Sequence, residues 1–183
     1  MLTPWQVLSS NKVLDCSPWL SVSAEHVRLP NGHEIPDFYR IIMPDWAQVF
    51  AVTEEGRVAL IEHYKHGPGA ISLELPAGYL EGGEAPESAA RRELLEETGL
   101  EAADWRFLGR FFMDGNRGCG ASYVFLAQRA RVVAEPHREE SEIMVQHWLS
   151  LDELRAAWLS GRIGNMATVG AVGLALAALE AER

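Results

Sequence analysis

Residues Gly78 to Leu100 read GYLEGGEAPESAARRELLEETGL and place six glutamates around the arginine pair Arg91 and Arg92. Pro86 suits a helix first turn, where its missing N–H costs nothing, and Gly99 suits a left-handed C-terminal cap. The spacing therefore predicts a helix from about Pro86 to about Thr98, with Glu87 favourably placed in its first turn. On that helix Glu93, Glu96 and Glu97 share a face beside an apolar stripe containing Ala90 and Leu94. Like charges so placed cost a few tenths of a kcal/mol per pair, about the same as a helical ion pair returns. Arg92 can pair with Glu96 one turn on, but one guanidinium cannot neutralise three carboxylates. Mg²⁺ or Mn²⁺ can, because these ions take carboxylate, carbonyl and water oxygens and share their shell with substrate phosphates. A lone ExxEE is also an ordinary solvated helix face. The rest of the chain has to decide.

The chain has 183 residues, 48% of them apolar and 23% charged, with no repeat or low-complexity block. That is enough for one compact domain, or for a main domain with a smaller appendage. A formal charge of −10 argues against a protein that binds nucleic acid through a broad basic surface. If the ligand is a phosphate ester, an acidic site needs metal cations to bring two negative partners together. Cys16 and Cys119 match no metal or redox spacing and read as unpaired thiols in a reducing cytoplasm. The N-terminal stretch MLTPWQVLSSNKVLD shows no secretory signal. The apolar run Met166 to Leu179 is too short to span a bilayer and reads as a buried or interface helix.

Asn31-Gly32 supplies a tight turn between β-rich flanks, so an antiparallel appendage over residues 1–44 is expected before a main domain over 45–183. AQVFAVT and VALIEHYK flank a second turn at Gly56, and ISLELP follows as a shorter strand. WRFLGRFF, ASYVFLAQ and IMVQHWL read as later strands, and LDELRAAWLS and MATVGAVGLALAALEAE as helices. The expected fold class is mixed α/β (α+β), a mixed sheet with helices packed on it.

Gly78, Glu84, Arg92, Glu93, Leu94, Glu96, Glu97, Gly99 and Leu100 fall at G, five residues, E, seven residues, R-E-L-x-E-E-x-G-L. A chance match at a given start is on the order of 10⁻⁹ from average residue usage. This spacing resembles the signature of the Nudix hydrolases. The resemblance implies an α/β/α sandwich and hydrolysis of a nucleoside diphosphate linked to another group. It implies Glu93, Glu96 and Glu97 as metal ligands, with Glu97 also counted as catalytic. Glu84 is implied as an auxiliary ligand, Arg92 as the residue that orients the glutamates, and the carbonyl of Ala77 or Gly78 as completing the shell. The implied cofactor is Mg²⁺, with Mn²⁺ as the alternative. Of the two glycines, Gly78 allows close backbone approach and Gly99 the left-handed turn.

The stretches LPNG, FYRIIMPDWAQVFAV, VALIEHYKHG, LELPAG and GRIGNMATVGAV resemble the ADP-ribose pyrophosphatase group and its nucleotide-sugar relatives, over about Trp19 to Leu176. That likeness implies a homodimer formed through the N-terminal strands and a small-molecule nucleoside diphosphate derivative as substrate; the unpaired cysteines, the acidic charge and the short apolar run point to a cytoplasmic protein that takes neither nucleic acid nor a membrane. It places Trp46, Phe38 and Tyr39 near the base, and Arg40, Lys65 and Glu74 among the substrate-binding residues. Aromatic residues in strands are also ordinary core residues, and His63 and His66 read as structural or surface groups. A catalytic glutamate is implied within HREESEI, Glu139 or Glu140, to orient or deprotonate water. Two positions depart from the group. Where its members carry a Ser-Pro-Gly loop, this chain has FFMDGNRGCGASY, in which Asn116 and Arg117 offer donors to a ribose or phosphate. Where they carry an arginine, it has Lys65, which cannot make a bidentate fork. The expected reaction is ADP-ribose to AMP and ribose 5-phosphate. The alternatives are a GDP-mannose or UDP-sugar hydrolase and a non-catalytic nucleotide-sugar sensor.

Overall fold

A computed structural model describes residues 2–137 and 143–182. The chain divides into two compact units: residues up to Asp45 with Phe112–Ala121, and Trp46–Phe111 with the remainder from Ser122.

In the first unit, strands β1 (Gln6–Cys16), β2 (Leu20–Arg28) and β3 (Glu34–Ile42) form an antiparallel meander. The expected turn joins β2 and β3. Gly32 has φ of 84°, and Asn31 Oδ1 accepts the His33 N–H at 3.0 Å. β1 was not legible in the sequence, because QVLSSNKVLDC is polar and almost wholly exposed and has no apolar alternation to mark it. Ile41 pairs in parallel with Gly118, and Asp45 Oδ1 accepts the Ala121 N–H at 2.8 Å. Gly120, with φ of 74°, lets the backbone pass Pro44, whose carbonyl oxygen an added Cβ would approach to 2.7 Å. Cys16 and Cys119 are both free thiols.

The second unit contains β4 (Trp46–Thr53), β5 (Arg57–Lys65), β6 (Ala70–Glu74), β7 (Ala77–Tyr79), α1 (Pro86–Thr98), β10 (Met144–Ser150), α2 (Leu151–Leu159) and α3 (Met166–Glu180). It also holds most of β8 (Leu100–Asp114) and β9 (Gly118–Val132). The sheet runs β9-β4-β5-β10, with β4 parallel to β9 and antiparallel to β5. β6 lies on β5, β7 on β4 and β8 on β9. Both faces are covered, so β4 is buried almost throughout instead of alternating. On one face Phe50, Leu60, Leu73 and Leu126 pack against Leu154, Val172 and Leu176 from α2 and α3. On the other, Ala47, Val49, Ala59 and Phe125 pack against Ala89, Ala90 and Leu94 of α1. Full burial stabilises each Leu or Phe by about 1.5–3 kcal/mol. This is the expected mixed α/β sandwich. The Met166 run is helical and packs through Ala171, Val172, Ala175 and Leu176.

Ser150 and Glu153 form a reciprocal capping box that starts α2, and the Asn165 side chain caps α3. No described helix is long and apolar enough to cross a membrane.

Candidate active site

α1 spans the residues the sequence predicts. Pro86 stands in its first turn, and Gly99, with φ of 71°, donates its N–H to Leu95 O at 2.8 Å. Ala90 and Leu94 are fully buried against the sheet, which turns Glu93 and Glu97 toward β7. Their spacing of four puts both carboxylates on one stripe, 8% and 5% exposed, while the Glu96 side chain is 41% exposed. The three glutamates thus form two nearly buried groups and one at the rim. Glu97 Oε2 accepts the Ala77 N–H at 2.9 Å. β7 is three residues long and carries no pattern of its own; it exists because Gly78 and Ala77 pair with Ala47 and Gln48 of β4. A Cβ on Gly78 would fall within the Glu93 carboxylate, so only glycine lets strand and side chain meet here.

Arg92 organises this group. Its Nε donates to Glu84 Oε1 at 3.2 Å and its Nη2 to Glu84 Oε2 at 3.0 Å. Nη1 donates to Glu93 Oε1 at 2.6 Å and Glu96 Oε2 at 3.0 Å, and Nη2 also reaches Tyr79 O at 3.1 Å. All five guanidinium N–H groups are thereby engaged, which a lysine could not reproduce. The Glu84 hydrogen bonds, ahead of those to Glu93 and Glu96, raise the Arg92 pKa against the opposing effect of partial burial. In turn Arg92 holds the Glu84 carboxyl below the usual range, with help from the Glu81 N–H. The sequence shows only the Glu96 pairing; contacts eight residues apart and to a strand carbonyl depend on tertiary placement.

Among the described residues no three His, Cys, Asp or Glu side chains converge on one point, since the Arg92 guanidinium stands among Glu84, Glu93 and Glu96. The donor chemistry nevertheless fits a hard divalent cation, which is held by one or two carboxylates together with waters and substrate phosphates. Glu93 and Glu97, nearly buried beside the β7 backbone, are such a pair.

Lys65 and Glu74 lie in this same unit. Lys65 Nζ is 3.4 Å and His63 Nε2 3.6 Å from Glu74 Oε2. Burial pushes the Glu74 carboxyl up, but the His63 ring, the Lys65 ammonium and the polar Ser72 and Asn165 side chains outweigh it and hold it down to about 2. Trp46, also here, opens β4 and is partly buried between Ser122 and Tyr79 as its strand partners.

Phe38, Tyr39, Arg40, Asn116 and Arg117 belong to the N-terminal unit. Asp114 Oδ1 accepts the N–H groups of Asn116 and Arg117 at 2.7 and 2.6 Å, shaping a turn. Arg117 stands 5.7 Å over the Phe38 ring, and Arg40 donates to the buried Glu25 at 3.0 Å. Phe38, Arg40, Phe112, Asn116 and Arg117 line an open cavity of about 340 Å³. Tyr39 is exposed. Glu139 and Glu140 lie outside the described residues. His63, Ser72 and Asn165 join the Glu74 group although no sequence motif marks them. Of these only Asn165 carried a local signal, as an N-cap residue before an apolar helix.

The signature spacing and this geometry coincide with a match of residues 45–166 to the Nudix domain. The chain belongs to the Nudix family. Residues 5–41 match the nucleoside diphosphate sugar hydrolase N-terminal domain. This Nudix protein is a pyrophosphohydrolase, and members of the family generally use divalent metal ions. It is 30% identical over 174 residues to an ADP-ribose pyrophosphatase of Mycobacterium tuberculosis, covering 89% of this chain and 79% of that one. It is 33% identical over 141 residues to an ADP-ribose pyrophosphatase of Bacillus subtilis, covering 75% and 70%. A crystal structure of an ADP compounds hydrolase superposes with a TM-score of 0.86 over 100% of this chain and 97% of the other, at 21% identity, which speaks for the fold alone.

Proposed function

We propose that this Nudix protein hydrolyses the pyrophosphate bond of ADP-ribose to give AMP and ribose 5-phosphate. The observation that carries the reading is the Arg92-centred carboxylate network held against β7, in a chain similar over most of its length to two ADP-ribose pyrophosphatases. Glu93, Glu96, Glu97 and the carbonyl of Ala77 or Gly78 would hold Mg²⁺, with Glu84 as auxiliary. The ion would neutralise charge on the phosphoryl oxygens and acidify a bound water. Arg92 keeps Glu93 and Glu96 oriented, and Glu97 is fixed by the Ala77 N–H. Glu139 or Glu140 takes the proton of the attacking water. Lys65 offers an ammonium to the diphosphate. Within the N-terminal unit, Phe38, Arg40, Asn116 and Arg117 line one cavity whose aromatic and donor groups suit a base and a ribose.

We also infer a homodimer formed through the N-terminal strands. In and just before β1, Trp5, Val7, Val13 and Leu14 are exposed apolar side chains that a second copy could cover. Light scattering behind size exclusion would test it, and a monomer at micromolar concentration would refute it.

A second reading, hydrolysis of another nucleotide sugar, draws on the open cavity around Asn116 and Arg117, where the loop lacks the proline of the ADP-ribose group. The deciding experiment is turnover of ADP-ribose, GDP-mannose and UDP-glucose with Mg²⁺, Mn²⁺ or a chelator. ADP-ribose cleavage well above the others, abolished by chelator, is expected. Preference for another sugar favours the second reading, and absence of any turnover refutes both.

A further inference from the structure

Strands β5 and β6 assemble a second polar group that the glutamate helix does not use. His63 pairs directly with Ser72, Lys65 with Ala70 and Ile61 with Glu74. Residues two apart on a strand share a face, so Lys65, His63, Ser72 and Glu74 look the same way. Glu74 is only 6% exposed, and an ionised carboxylate there costs several kcal/mol unless cations or donors compensate it. Yet its contacts to Lys65 and His63, at 3.4 and 3.6 Å, exceed the roughly 2.7–2.9 Å of a charge-assisted hydrogen bond. The attraction is Coulombic, so the Lys65 N–H groups keep their capacity for an incoming oxyanion while the carboxylate limits where the ammonium can stand. The Lys65 side chain is 40% exposed and can meet a ligand, while the Glu74 side chain, 8% exposed, stands behind it. His63 Nε2 and Ser72 Oγ are buried, make no close hydrogen bond among the described residues, and both act on the Glu74 carboxylate, His63 from 3.6 Å.

We propose that Glu74, backed by His63 and Ser72, is a positioning residue that sets the Lys65 ammonium for contact with a diphosphate oxygen of the substrate. The inference rests on the pyrophosphohydrolase reading for the identity of the ligand. It accounts for a lysine at this position: a compact ammonium on a flexible stem lacks the rigid fork of arginine, and a fixed buried carboxylate supplies the missing direction.

The test uses the full chain with Mg²⁺. ADP binding is measured by calorimetry and ADP-ribose turnover by product chromatography for wild type, K65M, E74Q, E74D and K65M/E74Q. Losing either partner of the pair should weaken ADP binding and raise KM about tenfold, with kcat within about threefold, and the double variant should be no worse than K65M alone. E74D, which keeps the charge but draws it back, should fall between wild type and E74Q, and it carries the test if circular dichroism shows E74Q unfolded. Wild-type ADP affinity in the Glu74 variants, or losses that multiply in the double variant, would overturn the proposal. If wild type binds ADP through Lys65 and Glu74 but cleaves no ADP-ribose, the positioning role stands and the substrate reading falls.

Discussion

Replacing Gly78 by alanine adds one carbon at the point where β7 meets α1. That carbon would lie 2.5 Å from Glu93 Oε2 and closer still to Oε1 and Cδ. Contact distances between heavy atoms are about 3.5–4 Å, so the carboxylate must retreat by on the order of 1 Å. Glu93 is nearly buried and tied to Arg92 Nη1 at 2.6 Å, so it cannot retreat without loosening that bond. A charge-assisted hydrogen bond contributes about 1.5–3 kcal/mol, and the stiffer unfolded chain of alanine returns about 0.4–1 kcal/mol. The net loss is about 1–2 kcal/mol. At about 2–4 °C per kcal/mol for a domain of this size, Tm should fall by roughly 2–8 °C. Activity should suffer far more, because a misplacement of about 1 Å at a catalytic centre costs about 10²-fold. Thermal denaturation and kcat/KM for ADP-ribose measure the two effects separately. A G78A protein with kcat/KM within twofold of wild type would refute the placement of Glu93 in the metal-binding group.

R92K keeps the charge but not the five-donor fork, and activity should fall about 10- to 100-fold, as for other residues that orient ligands; unchanged kinetics would show that Arg92 acts as charge alone. G99A forces an alanine to φ of 71° and drives its Cβ into the Ala134 carbonyl oxygen, so destabilisation above about 2 kcal/mol is expected in urea melts; a smaller loss would mean that the helix terminus relaxes. The Glu74 pKa is about 2 in the folded chain against 4.5 for a free glutamate, a depressed value. Its contribution is therefore fully present above about pH 4.5 and lost as pH falls toward 2. It amounts to about 3 kcal/mol at most, at about 1.36 kcal/mol per unit. The stability gap between wild type and E74Q should close over that window, and a gap independent of pH would contradict the depressed pKa.

Much of the fold was legible because local chemistry carried it. Pro86 and Gly99 bracket α1, Asn31-Gly32 turns β2 into β3, and apolar runs mark β4, β5 and β9. β1 and β7 were not legible. One is polar and exposed, and the other is three residues whose pairing partners lie about thirty residues away in β4. The spacing in α1 announced its glutamates, but the burial of Glu93 and Glu97 depends on which face Ala90 and Leu94 present to the sheet. The sequence by itself determined the family, the helix and its acid spacing, because each rests on one continuous stretch, Gly78 to Leu100. The tertiary structure alone decided that Arg92 engages Glu84 and the Tyr79 carbonyl, that Gly78 admits the Glu93 carboxylate, and that Glu74 meets Lys65, His63 and Asn165. Those contacts join different elements of the fold, and their strength comes from burial and mutual distance, which no local pattern encodes.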